Sequence, residues 1–152
     1  MQITQAMEYA LHGLVFLAGL PEGEVVLASQ VARRAGVSPS YMSKVFQQLA
    51  KAGILVSHRG AKGGFSLATD PEKITLLDVM EAVEGKLAIN RCLFERTTCP
   101  QEKTCPLKPV LKELQQKMTS FLTQRTLAQL VAAKQSSIEQ ETAALTNQRS
   151  KR

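Results

Sequence analysis

Apolar residues in the first third of the chain recur at helical spacing and are interrupted by short turn sequences. The apolar positions of residues 3–19 repeat every three or four residues, which predicts a buried helix that ends at Pro21-Glu22-Gly23. Residues 27–35 form a second, shorter helical stripe, and Gly36-Val37 follows it as a turn. Two helices are therefore predicted before residue 38.

A third helix is predicted from the residue types at its two ends. Ser38 has a side chain that can cap a helix N-terminus, and Pro39 suits the first helical position. The apolar pattern then runs to about Ala52, where Gly53 is a typical C-terminal stop. A helix, a glycine turn and a capped helix in this order are typical of a helix-turn-helix unit.

Two β-prone segments follow the third helix. Residues 54–58 and 64–68 are joined by the glycine-rich residues 59–63, which predicts a β-hairpin. A hairpin directly after a helix-turn-helix is the winged arrangement. Thr75, with Asp78 three residues later, predicts the capped start of a fourth helix.

The C-terminal third of the chain contains one long apolar stripe, and Pro106 is placed to open a helix there. The apolar positions of the stripe are Leu107, Val110, Leu111, Leu114, Met118, Phe121, Leu122, Leu127 and Leu130. A helix of this length has more apolar surface than a small domain covers, so a partner helix from a second copy of the chain is expected. From Gln135 onward the sequence is polar, which predicts a disordered tail.

The predicted fold class is therefore mainly α with a small β-wing: a winged helix-turn-helix domain plus a long dimerisation helix. The expected segments are 1–84 for the DNA-binding domain, 85–105 for a cysteine-bearing loop, 106–134 for the dimerisation helix and 135–152 for the tail. No apolar run is long enough to cross a bilayer, and the N-terminus does not have the pattern of a secretion signal. A cytoplasmic protein without a membrane partner is expected.

The net charge of +6 is concentrated in the helix-turn-helix and hairpin. No Asp or Glu occurs from Val25 to Thr69, whereas that stretch contains the basic residues Arg33, Arg34, Lys44, Lys51, Arg59 and Lys62. A surface of one sign attracts a polyanion, which favours DNA or RNA over a solvated basic face. The agreement of turn, caps and wing in one stretch then favours DNA over a protein or RNA partner. The residues expected to contact DNA are Ser38, Ser40, Tyr41, Ser43 and Lys44 on the third helix and Arg59 and Lys62 on the hairpin.

All the cysteines of the chain, Cys92, Cys99 and Cys105, lie in one polar segment that contains two prolines. In a reducing compartment such a group favours metal ligation over disulfides, and soft thiolates suit an iron–sulfur cluster or zinc. Three thiolates leave a four-ligand site incomplete. Glu8 and His12 lie on one face of the first helix and are candidates for the remaining ligand, although His12 could equally be a packed core residue.

The sequence does not favour an enzyme. It has no glycine-rich phosphate loop, no paired carboxylates in a pocket-like context and no Cys–His dyad at a recognisable spacing. A cluster-assembly partner that carries a winged helix is a further alternative, and such a protein would not discriminate one DNA sequence from another.

Several segments together resemble one regulator family. They are the opening MQITQAMEYALHGLVFLA, the stretch GVSPSYMSKVFQQLAKAGIL, the wing RGAKGGFSLA, the segment ITLLDVMEAVEG and the cysteine trio. Over about residues 1–132 the chain resembles the iron–sulfur-binding members of the IscR/NsrR-type (Rrf-two) winged helix-turn-helix transcriptional regulators. The resemblance implies a homodimer that binds a palindromic operator in double-stranded DNA.

The resemblance also implies how a cluster would be held. The three cysteines would be its thiolate ligands, and the first helix of the other subunit would supply the rest. Lys108 stands where IscR-like members have a histidine, whereas Glu8 matches the acidic ligand of NsrR-like members and Glu8 with His12 matches RsrR-like ones. This mixed ligand set favours a 2Fe-2S cluster, with 4Fe-4S as the alternative.

The function that the resemblance implies is a transcriptional regulator, expected to be a repressor, whose operator affinity is controlled by a cluster that senses redox state, nitric oxide or iron supply. The alternative is a winged-helix regulator that uses cysteine thiol oxidation or zinc instead of a cluster.

Overall fold

The computed structural model of the protein describes residues 4–60, 63–94, 99–101 and 103–149. In this part of the chain the helices are α1 (Gln5–Ala18), α2 (Ala28–Ala35), α3 (Pro39–Lys51), α4 (Leu76–Glu84), α5 (Arg91–Phe94), α6 (Leu107–Thr123) and α7 (Leu127–Arg149). Strands β1 (Leu55–His58) and β2 (Gly64–Leu67) pair antiparallel, and a short 3₁₀ helix spans Pro71–Lys73. None of the described helices combines the length and apolar character needed to cross a membrane.

Helix α1 is the central element of the winged-helix domain and packs against α2, α3, α4 and α7. Thr4 caps its N-terminus, because the Thr4 Oγ1 accepts the Met7 N–H at 3.4 Å and donates to Glu84 Oε1 at 2.5 Å. Gly13 allows an especially close approach to α3, since a Cβ at this position would lie 2.6 Å from the Phe46 ring. The start of α1 is thereby fixed to the end of α4, and its middle to the helix-turn-helix.

Helices α2 and α3 form the predicted helix-turn-helix. Gly36 has a left-handed φ of +69°, and the fully buried Ala32 lets the two helices cross closely. Ser38 Oγ accepts the Tyr41 N–H at 3.2 Å, and Pro39 is the first residue of α3. The capping and turn residues read from the sequence are therefore confirmed.

The wing is the predicted hairpin with one addition. Its register pairs Leu55 with Leu67 and His58 with Gly64. Val26, which precedes α2, forms a bridge to Phe65: the Val26 N–H donates to Phe65 O at 2.9 Å, and the Phe65 N–H donates to Val26 O at 2.8 Å. The sequence pattern did not predict this bridge, which attaches the wing to the segment just before the helix-turn-helix.

The prediction of one continuous helix from Pro106 is wrong, because the structure divides that stretch into α6 and α7. Thr126 caps the start of α7: its N–H donates to Gln129 Oε1 at 3.2 Å, and its Oγ1 accepts the Gln129 N–H at 3.4 Å. The Leu127 N–H donates to Ile74 O, and the Leu127 side chain is fully buried in the core. The first turns of α7 thus complete the winged-helix domain.

Two further segments differ from the sequence-based expectation. Helix α7 continues to Arg149 in place of a disordered tail, because residues after Gln135 are mostly good helix formers. The segment 85–105, predicted as a loop, contains α5, in which Asn90 Oδ1 accepts the Cys92 N–H at 3.5 Å. Residues 150–152 lie outside the described part of the chain.

Because Leu127 is fully buried, Leu127→Ala should lower the free energy of unfolding by about 2–5 kcal/mol, the usual cost of a core cavity. Ile138→Ala, on the same helix at a position that is 53% exposed, is the matched control and should change it by less than about 0.5 kcal/mol. Urea denaturation followed by circular dichroism measures both. Equal effects for the two variants would show that α7 does not belong to the core.

Candidate nucleic-acid interface and cysteine segment

The N-terminal end of α3 presents most of the residues that were expected to contact DNA. Ser38, Ser40, Tyr41 and Lys44 are exposed, and Ser43 is half-buried. Hydroxyl and ammonium groups at the start of a recognition helix can donate to phosphates and base edges in the major groove. The side chains are therefore available for the contact that the sequence predicted.

Tyr41 is held by a residue of α1 that the sequence analysis did not single out. The rings of Tyr9 and Tyr41 lie edge to face, with centroids 5.9 Å apart and an interplanar angle of 88°. Tyr41 is 37% exposed, so one side of its ring contacts α1 while the other remains open. No sequence signal pointed to Tyr9, because the contact joins two helices that only the fold brings together.

The wing places Arg59 on the surface next to its tip, whereas Lys62 lies outside the described residues. Near the tip of the wing the His58 imidazole Nε2 lies 2.8 Å from Ser66 Oγ, which ties the two strands together. Gly64 has a φ of +153°, and a Cβ there would lie 2.6 Å from Val26 O. Only glycine fits where the wing backbone comes this close to the backbone of Val26.

The cysteine segment is attached to α6. The Ile89 N–H donates to Gln115 Oε1 at 3.3 Å just before α5 begins. All three cysteines are free thiols: Cys92 and Cys105 are half-buried, and Cys99 is exposed. Residues 95–98 and 102 lie outside the described part of the chain.

Glu8 and His12 lie one turn apart on α1. The Glu8 Oε1 is 3.9 Å from the His12 Nε2, and both side chains are more than half exposed, which excludes the packed-core alternative for His12. Among the described residues, no three His, Cys, Asp or Glu side chains lie close enough together to hold a metal ion.

Glu8 and His12 face a cleft of about 540 Å³ between α1, α2 and α7. The residues that line it are Glu8, Tyr9, His12, Phe16, Val31, Arg34, Ala35 and Lys134. The Arg34 guanidinium lies 4.4 Å from the centre of the Phe16 ring, a cation–π contact that holds it at the wall of the cleft. The sequence analysis assigned Arg34 only to the basic surface and did not consider Lys134, which is far from α1 along the chain.

Helix α6 has an apolar face that the described chain leaves uncovered. Leu107, Val110, Leu114 and Phe121 are 46–62% exposed, and no residue of this helix is fully buried. A row of large apolar side chains in solvent on one helix is typical of a helix that packs against a partner.

Comparison with solved structures finds regulators of the same architecture. The structure of CymR (YrzC), the global cysteine regulator of B. subtilis, superposes with a TM-score of 0.70 at 22% identity, covering 88% of this chain and 98% of that one. The structure of IscR from T. potens superposes with a TM-score of 0.70 at 24% identity, and the match covers 90% of each chain. The oxidised form of Staphylococcus aureus CymR gives 0.66 at 26% identity, covering 86% of this chain and 96% of that one.

These likenesses agree with the winged-helix fold. A family model described as "Rrf2: Iron-dependent Transcriptional regulator" matches residues 3–133, which include every described element except the end of α7. That family consists of transcriptional regulators rather than enzymes, and its members bind DNA, typically as dimers. The chain belongs to the Rrf2 family of transcriptional regulators, the Rrf-two group that its sequence resembles.

Proposed function

We propose that this protein is a homodimeric repressor whose affinity for a palindromic operator is controlled by an iron–sulfur cluster. The ligands would be Cys92, Cys99 and Cys105 of one subunit, with Glu8 or His12 of α1 in the other as the fourth. The observation that carries the proposal is the pairing of three free thiols on one anchored segment with an exposed carboxylate–imidazole pair on another helix.

The chemistry of these donors fits an iron–sulfur cluster. Thiolates are its usual ligands, and an oxygen or nitrogen ligand in place of one thiolate occurs in such centres. In this proposal the thiolates and the α1 ligand belong to different subunits, so a second copy of the chain would complete the site. We favour 2Fe-2S, with 4Fe-4S as the alternative, since a carboxylate and an imidazole are both available on α1.

A dimer would form through the exposed apolar face of α6. Two such faces packed together would bury the row formed by Leu107, Val110, Leu114 and Phe121. The cysteine segment is attached to the same helix through Gln115, so a partner helix on α6 would bring a second chain close to the thiols. Dimerisation and ligand assembly would therefore be one event.

Helix α1 would connect the sensing site to DNA. Glu8 and His12 lie on the same helix as Gly13, which contacts the Phe46 ring of α3, and as Tyr9, which contacts Tyr41. When bound, the cluster would supply a centre that oxidants or nitric oxide can attack. Iron shortage would lower the fraction of the protein that holds it. Release of Glu8 or His12 would free α1 to shift, and the recognition helix packed on it would change its position in the groove.

A second candidate is a regulator whose cysteines act as thiols or bind zinc. Cys99 is exposed and Cys92 and Cys105 are half-buried, so oxidants can reach these sulfur atoms. One solved relative is an oxidised form of CymR, which is 26% identical to this chain. The two candidates share the DNA interface and differ only in what the cysteines hold.

Anaerobic purification separates these candidates. The wild-type protein should be coloured, with about two irons and two acid-labile sulfides per monomer for a 2Fe-2S centre. Cys92→Ala should lose most of the iron, sulfide and visible absorption, whereas Thr104→Ala, which alters the same segment without removing a thiol, should keep them. A colourless wild-type protein that takes up no iron and sulfide would leave the thiol or zinc candidate.

Lys44→Gln should weaken binding to operator and to unrelated DNA alike, by roughly tenfold at physiological salt, because each subunit of the dimer loses one phosphate contact. The slope of log affinity against log salt concentration should also decrease by about two, one for each subunit. Fluorescence anisotropy over a potassium chloride series measures both. Lys112→Gln is the control: it removes the same charge from an exposed position of α6, on the side opposite the apolar row, and should leave both values unchanged.

Leu114→Asp should raise the dimer dissociation constant by more than about a hundredfold, because it buries an unpaired carboxylate between the two α6 helices. Sedimentation equilibrium measures the change. Gln116→Asp adds the same charge at an exposed polar position of α6 and should leave the dimer intact. If Leu114→Asp remains as dimeric as this control, the contact between copies lies elsewhere.

A further inference from the structure

Two basic side chains share the cleft that contains Glu8 and His12. Arg34 reaches it from α2 and Lys134 from α7. With Glu8 as the opposing charge and His12 neutral, the charged side chains of the cleft sum to one excess positive charge. Arg34 is held in place by its contact with the Phe16 ring.

We propose that Arg34 and Lys134 set the reduction potential of the cluster by compensating its negative charge in this cleft. The inference rests on the proposed function, because it takes the fourth ligand from the Glu8 and His12 pair of α1. It assigns to the two basic residues a role as positioning and tuning groups, not as ligands.

The two basic side chains would act on the cluster through electrostatics. A cluster held by three thiolates and a carboxylate is a net anion, and placing it between two subunits removes it from water, so nearby positive charge is needed to offset the loss of hydration. Reduction adds one electron, delivered by an external one-electron donor, and no bond of the protein breaks. The added negative charge is stabilised by fixed cations at short range, so Arg34 and Lys134 favour the reduced state.

Lys134 reaches the cleft from the C-terminal part of the chain. It lines the cleft because α7 packs against α1 after the chain returns at Thr126. The role proposed for Lys134 therefore depends on the course of α7.

Arg33 offers a matched control. It is the neighbour of Arg34 on α2 and shares a second cleft with it, beside Glu24 and Gln30, but it does not line the cleft of Glu8 and His12. Arg33→Gln and Arg34→Gln remove the same charge from adjacent positions of one helix. Arg34→Lys keeps the charge at the cleft and tests whether charge or shape matters.

The experiment is a spectroelectrochemical titration of the anaerobically purified, cluster-loaded dimer. At a fixed ambient potential, Arg34→Gln and Lys134→Gln should each lower the ratio of reduced to oxidised cluster by roughly threefold or more, and the double variant by about tenfold. Arg33→Gln and Arg34→Lys should leave the ratio of reduced to oxidised cluster close to the wild-type value. The differences should shrink as ionic strength rises, because salt screens partly exposed charges.

Each outcome decides the matter. Loss of the cluster from Arg34→Gln with retention in Arg34→Lys and Arg33→Gln would also support charge compensation. Folded, cluster-containing Arg34→Gln and Lys134→Gln proteins that titrate like the wild type would overturn the inference and leave the proposed function intact. A wild-type protein that binds no cluster would overturn both, and circular dichroism of Lys134→Gln, an exposed position, separates either result from misfolding.

Discussion

The close packing of α1 on α3 is the contact on which the rest of the structure depends. Gly13 lies against the Phe46 ring, where a Cβ would come within 2.6 Å, and Phe46 in turn packs edge-on against Phe65 of the wing. Phe46 is fully buried, so its ring cannot swing away to relieve a change. The helix that contains Glu8 is thereby joined to the recognition helix and the wing through contiguous packed groups.

The chain reverses direction at Thr126, so that α6 and α7 have different roles in the structure. The capped start of α7 buries Leu127 in the core of the winged-helix domain, and α6 is left with its apolar face in solvent. A helix arranged in this way can pair with another copy without disturbing the core. The same return brings Lys134 to the cleft beside α1, so one turn in the chain places both the assembly surface and part of the candidate sensing site.

Much of the fold could be predicted from short stretches of sequence, because helix caps, glycine turns and apolar periodicity act over a few residues. Ser38 and Thr75 start helices as their side chains predict, Gly36 makes the turn, and the hairpin forms where its glycines indicate. The break before Leu127 was missed because its apolar neighbours keep a helical period across it. The Thr126–Gln129 capping pair was the local signal for that break.

The sequence by itself determined the winged-helix architecture, the basic DNA-facing surface and the candidate ligands, since residue type and short-range spacing carry that information. Only the tertiary structure decided that Glu8 and His12 face an open cleft, that Tyr9 contacts Tyr41, and that Arg34 and Lys134 lie beside them. These contacts join residues remote in sequence. Such contacts depend on how whole helices pack. Apolar periodicity in the sequence shows which face of a helix is buried, but not which neighbouring element covers that face.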